Sequence, residues 1–245
     1  MISASEVRAY QELMKRINSR AAEDVARWLR VNAAAFAQDP ELATRMLNAY
    51  MTELVANYGA AECAAIDEYL SELCQAAGTV YEPQQVPSQK PLYGDVEQAV
   101  SRYVPRQDYD GLADAAKALV TMGTRRVANR YAQRAAVANG MQFAWKPIGD
   151  TCAFCTTLAS RGWQDTHREE YARHVHPNCD CVMIFRRPGE RVDGYDPSSY
   201  LEEYENAPGE TSQDRINAMR RQRYADGYGE VARQQHRDRY AEQND

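Results

Sequence analysis

The stretches GDTCAFCTTLASRG (residues 149–162) and HVHPNCDCVMIF (174–185) hold four of the chain's six cysteines and two of its four histidines. Soft ligands gathered this way call for a chemical reason. A Cys-x-x-Cys turn after Gly149-Asp150-Thr151 lets two thiolates and the backbone N–H groups between them converge on one ion. A second group, His176-Pro-Asn-Cys179-Asp-Cys181, stands just before a run that reads as a strand. Two ligand pairs about 20–25 residues apart are the usual arrangement of a structural, tetrahedral zinc site. Zinc takes four ligands, and more than four are on offer. Cys152 and Cys155 are the first pair. His176 and Cys179 are the next choice, because Pro177-Asn178 makes a tight turn that presents both. Cys181 is an alternative to either, and His174 is the last choice.

Other chemistries fit less well. Stable disulfides are disfavoured in the cytosol, where this chain is expected to be made. A thioredoxin-like redox pair opens a helix within a βαβ unit and has no use for the second cluster. Catalytic zinc of the nucleobase-deaminase kind requires H-x-E ahead of P-C-x-x-C; here the C-x-x-C comes first and no H-x-E occurs. Neither H-E-x-x-H nor G-x-S-x-G is present. A full set of protein ligands leaves the metal no open position for water. Glu169-Glu170 and Glu202-Glu203 read as solvated helix faces, and Cys63 and Cys74 as inert core thiols. The sequence therefore predicts a structural metal and no enzyme.

Working outward, residues 1–78 read as a helical region. Val7, Tyr10, Met14, Ile17, Val25 and Trp28 recur at steps that suit a buried helical stripe. Asp39-Pro40 supplies an N-cap and an N1 proline for a second helix. Its stripe from Leu42 runs past Gly59 to Leu73, and Gly78 stops it. Residues 79–94 hold three prolines and no helical period, the best candidate for a linker. Residues 95–140 are a second helical region, rich in Ala. The texture changes at 141: "MQFAWKPIG" reads as β, leads into the cysteine window, and "CVMIFRR" leaves it as a strand, so 141–190 form the zinc-knuckle module. Residues 191–245 are a polar tail, with one short helical turn expected before 209 and a helical stretch over 212–243 that has almost no apolar stripe. The fold class is α+β and mostly α-helical: long N-terminal helices, a small zinc-knuckle α/β module, and a polar helical tail.

Composition narrows the partners. The net charge of -6 argues against the whole chain acting as an electrostatic DNA binder. No apolar run reaches membrane-spanning length, and the amphipathic N-terminus does not resemble a signal peptide. No membrane and no small-molecule substrate are expected. Arg outnumbers Lys by 25 to 4, spread along the whole chain, which fits coding bias better than a phosphate-binding surface.

The segment WKPIGDTCAFCTTLASRGW, followed by HVHPNCDCVMIF, resembles the minor head (head morphogenesis) proteins of tailed bacteriophages, the Mu F-like family. Cys152, Cys155, Leu158, Ala159, Ser160, Arg161, Gly162, His176, Cys179 and Cys181 occupy that family's pattern over roughly residues 141–187. Thr156-Thr157 and Val175 depart from it without touching a ligand. The resemblance implies a virion component, made in the bacterial host cytoplasm, that binds the portal and other head or scaffold proteins. It implies packaging inside the head, with an influence on DNA packaging or exit and contact with packaged DNA as an open point. The competing reading is a zinc-braced nucleic-acid-binding protein or His-metal nuclease. That reading lacks a suitable downstream metal ligand, since His236 alone follows the window and stands far off in the polar tail.

Overall fold

The computed structural model describes residues 2–36, 39–88, 92–147, 152–168 and 181–225. Helix α1 (Ala4–Phe36) starts from a capping box that the sequence displays as Ser3-x-x-Glu6. The Ser3 N–H donates to the Glu6 carboxylate at 2.7 Å, and the Glu6 N–H donates back to Ser3 Oγ at 3.3 Å. Val7, Tyr10, Met14, Ala21, Val25 and Leu29 form its buried stripe. Helix α2 (Pro40–Ala76) begins where the Asp-Pro pair predicts. Asp39 Oδ1 accepts from the N–H groups of Glu41 and Leu42, both at 3.0 Å, a cap worth about 1 kcal/mol. The helix runs unbroken through Gly59 and ends before Gly78, whose φ of 70° is the left-handed stop that the sequence announces.

Residues 79–88, read from the sequence as the start of a linker, lie along α2 and α4 (Tyr109–Ala138) without regular structure. The hydroxyls of Tyr81 and Tyr131 both donate to Asp67 Oδ1. Asn139 holds Glu82 on both backbone groups, at 2.8 and 3.0 Å. Helix α3 (Tyr93–Tyr103) and a 3₁₀ turn (Val104–Arg106) then lead to α4, capped by Asp108 accepting from the Gly111 N–H at 2.8 Å.

Strands β1 (Gln142–Lys146) and β2 (Val182–Arg186) pair antiparallel, with Phe143 opposite Phe185 and Trp145 opposite Met183. Between them lies α5 (Ala153–Ala159). The sheet is not a separate layer. Tyr10 of α1 and Tyr69 of α2 stack at 4.7 Å, and the Phe185 ring meets them at 6.3 and 6.1 Å. A single hydrophobic cluster therefore runs from Ile2 through the helices into both strands, across the boundaries at 78 and 140 that texture suggests. The mostly α-helical α+β expectation agrees with this architecture.

After β2 comes α6 (Pro197–Asn206), ten residues where a single short turn was expected. Asp196 caps it, accepting from the Ser198 N–H at 3.0 Å. Helix α7 (Ser212–Ala225) follows and buries Ile216, Ala218 and Met219, an apolar face that the polar composition of the tail concealed.

A buried carboxyl sits inside the bundle. Glu62 of α2 is fully buried, with Oε1 accepting from Asn18 Nδ2 of α1. Burial pushes its carboxyl up to about 8, while the Arg125 guanidinium of α4 and the Asn18 hydrogen bond pull the other way. The unfolded chain releases this proton near the ordinary 4.5. Between those values the folded state binds the extra proton, so stability falls as pH rises from about 4.5 to 8 and then levels off. The loss is on the order of several kcal/mol. Urea unfolding across this window should show that slope in the native chain and a flattened one in Glu62→Gln. Parallel curves for the two proteins would contradict the assignment.

Candidate metal centre

Cys152 is the N-cap of α5, in extended backbone geometry with φ -70° and ψ 157°. Its sulfur accepts from the Cys155 N–H at 3.3 Å, and its carbonyl accepts from the Thr156 N–H at 3.0 Å. The two sulfurs stand 3.2 Å apart. That exceeds the ~2.05 Å of a disulfide bond. Two thiolates on one tetrahedral zinc, each about 2.3 Å from the metal, are about 3.8 Å apart. A separation of 3.2 Å reaches that value with a small side-chain rotation, so the pair fits half of a zinc site. Cys152 is half-buried and Cys155 buried.

Supports from three directions fix α5. Ala153, Leu158 and Ala159 are buried beneath it. Tyr195 Oη donates to the Ala159 carbonyl at 2.9 Å from the segment after β2. Arg223 of α7 donates to Thr156 Oγ1 at 2.6 Å and to the Glu203 carboxylate of α6. The chain leaving α5 returns to the sheet, where Phe143 and Gln164 exchange both backbone hydrogen bonds at 2.8 Å. Trp163 then packs against Tyr195, ring centroids 5.3 Å apart, and lies under the Arg186 guanidinium at 4.4 Å. The helix carrying the cysteine pair is thus braced by the sheet, α6 and α7 together.

The remaining candidates divide. His174, His176 and Cys179 lie outside the described residues. Cys181 is buried at the entry to β2 and is one of the residues around a small cavity that Glu62 and Arg125 also line. Among the described residues no three His, Cys, Asp or Glu side chains cluster closely enough to hold a metal. The Cys-x-x-Cys opens a helix, a trait shared with redox pairs, but its flanking strands are antiparallel and form no βαβ unit. Cys63 and Cys74 are buried in α2 as core thiols, and burial pushes the Cys63 thiol up to about 12. Glu202 and Glu203 are exposed on α6, as expected of a solvated face.

Three residues that hold this centre escaped the sequence reading: Thr156, Tyr195 and Arg223. Nothing in the pattern marks Arg223, one arginine in a polar tail. Asp196-Pro197, which starts α6 and so positions Tyr200 and Glu203, repeats the Asp39-Pro40 signal and was available to be read.

The sequence profile of the VG15 protein family matches residues 1–207. The chain belongs to the VG15 protein family. The family comprises viral and phage gene products, so this is a phage protein. The match covers α1 to α6 with both strands and stops before α7. No curated protein matches the chain. No solved structure matches it. Among the described residues no helix is long and apolar enough to cross a membrane.

Helix α7, beyond the family match, meets α5 and α6 through a satellite cluster of Ala153, Ala207, Ile216 and Met219, separate from the main core. Met219 is 3% exposed. Met219→Asp buries a charge without a partner and should release α7 at a cost of about 2–4 kcal/mol to its docking. Limited proteolysis should then cut residues 208–211 much faster, with the α1–α4 bundle still melting as in the native chain. Unchanged cleavage would mean that α7 is held by other contacts.

Proposed function

We propose that this VG15 protein is a structural minor head protein of a tailed phage or prophage. In this reading it is stapled by zinc, binds the portal, and is packaged inside the head during assembly. The observation that carries the reading is the cysteine pair at the start of α5, whose sulfurs stand 3.2 Å apart with the Cys155 N–H aimed at Cys152 Sγ. The surrounding LASRG and H-x-x-C-x-C residues resemble Mu F-like head proteins at the same positions, and the phage family membership is consistent with that.

The metal would be held by Cys152 and Cys155 with His176 and Cys179. Cys181, buried at the entry to β2, is the alternative ligand to either His176 or Cys179. Zinc held by these four side chains would supply a structural cross-link between α5 and the sequence that precedes β2, and a full set of protein ligands would leave no position for substrate water. The role proposed is therefore structural and not catalytic. Long helices offer outward faces to the portal and scaffold, and the arginine-rich C-terminal stretch is the part closest in chemistry to packaged DNA.

Two measurements test this function. Mass spectrometry of purified virions should find the protein in few copies per particle and protected from external protease until the heads open. Co-purification should recover it with portal from cells expressing both. Absence from intact virions, together with failure to bind portal, would refute the head-protein reading.

A further inference from the structure

We infer that the interior of the helical bundle contains a binding site for one ordered water molecule, bridging Asn18, Glu62 and Arg125. Tyr10 and Asn18 of α1, Glu62 of α2, Arg125 and Asn129 of α4 and Cys181 at the entry to β2 surround a cavity with about 10 Å³ of room for a water centre. A space of roughly 10–15 Å³ by that measure admits one water.

The polar atoms around it specify the ligand. Asn18 Nδ2 spends both hydrogens, one on the Met14 carbonyl at 2.9 Å and one on Glu62 Oε1. That leaves Asn18 Oδ1, Glu62 Oε2 and Arg125 Nη1, all buried and without a hydrogen-bond partner among the described residues. Native proteins pair such groups, because each one left buried and unpaired costs about 1–3 kcal/mol. Two are oxygens and one is a cationic donor. A metal ion would face the Arg125 charge, and an anion the Glu62 carboxylate. A water molecule accepts from Arg125 and donates to both oxygens, which gives it the three contacts typical of buried water. It serves either state of Glu62, since it donates to a carboxylate and accepts from a carboxylic acid. The site ties α1, α2 and α4 together at the point where the cysteine-bearing segment enters β2. It is independent of whether the chain acts in a phage head.

A crystal structure of the full chain at about 1.5 Å resolution, grown with bromide in place of chloride, tests this site. The expected result is a single compact density peak with no bromine anomalous signal, within hydrogen-bond distance of at least two of the three atoms. In solution, the Asn18 side-chain amide should show a nuclear Overhauser cross-peak to a long-lived water. Direct pairing of Glu62 with Arg125 and no density between them would overturn the proposal. So would an anomalous peak, which would make the ligand an anion, or the absence of the amide-to-water cross-peak.

Discussion

Helices α2 and α4 pack closely where each presents a glycine to the other. A methyl group placed on Gly123 would sit 2.7 Å from Val55 Cγ2, and one on Gly59 would sit 3.1 Å from Val127 Cγ1. Each helix contributes one glycine and presents one valine to its neighbour's glycine. Tyr10 of α1 and Tyr69 of α2 stack beside Phe185 of β2 at one end of the bundle. The sheet, and with it the seat of α5, is built on the end of that bundle.

This dependence gives the cysteine pair its character. A knuckle on its own must derive its folding energy largely from metal. Here α5 also rests on buried Leu158 and Ala159 and is fastened by Tyr195 and Arg223. The protein scaffold places two sulfurs at near-ligand spacing, and a metal would link them to the segment that precedes β2. A joint of that kind suits a part that must keep its shape within a larger assembly. The satellite cluster under α7 covers the outer side of the same helix, beyond the residues the family shares.

Much of this was legible in the sequence. The α1 and α2 stripes, the Asp39-Pro40 start, the Gly78 stop and both strands follow from periodicity and caps, which are local signals. The α7 face was not legible, because Ile216 and Met219 are two apolar residues among four arginines within the helix, and their burial depends on Ala153 some sixty residues away. The position of residues 79–88 was hidden for a related reason. Its anchors, Asp67, Tyr131 and Asn139, belong to helices on either side, and a proline-rich run shows no trace of them. At the candidate site, spacing identified Cys152 and Cys155 as a pair. It left Cys181 as an alternative to either member of the second pair, since His176, Cys179 and Cys181 stand within six residues of one another.

The most direct test is zinc-edge X-ray absorption, with elemental analysis, on the full chain purified without chelators. The account predicts about one zinc per chain, with sulfur ligands near 2.3 Å and nitrogen near 2.0–2.1 Å. Cys152→Ser should lose the metal. A folded, metal-free protein, or zinc bound by oxygen alone, would contradict it.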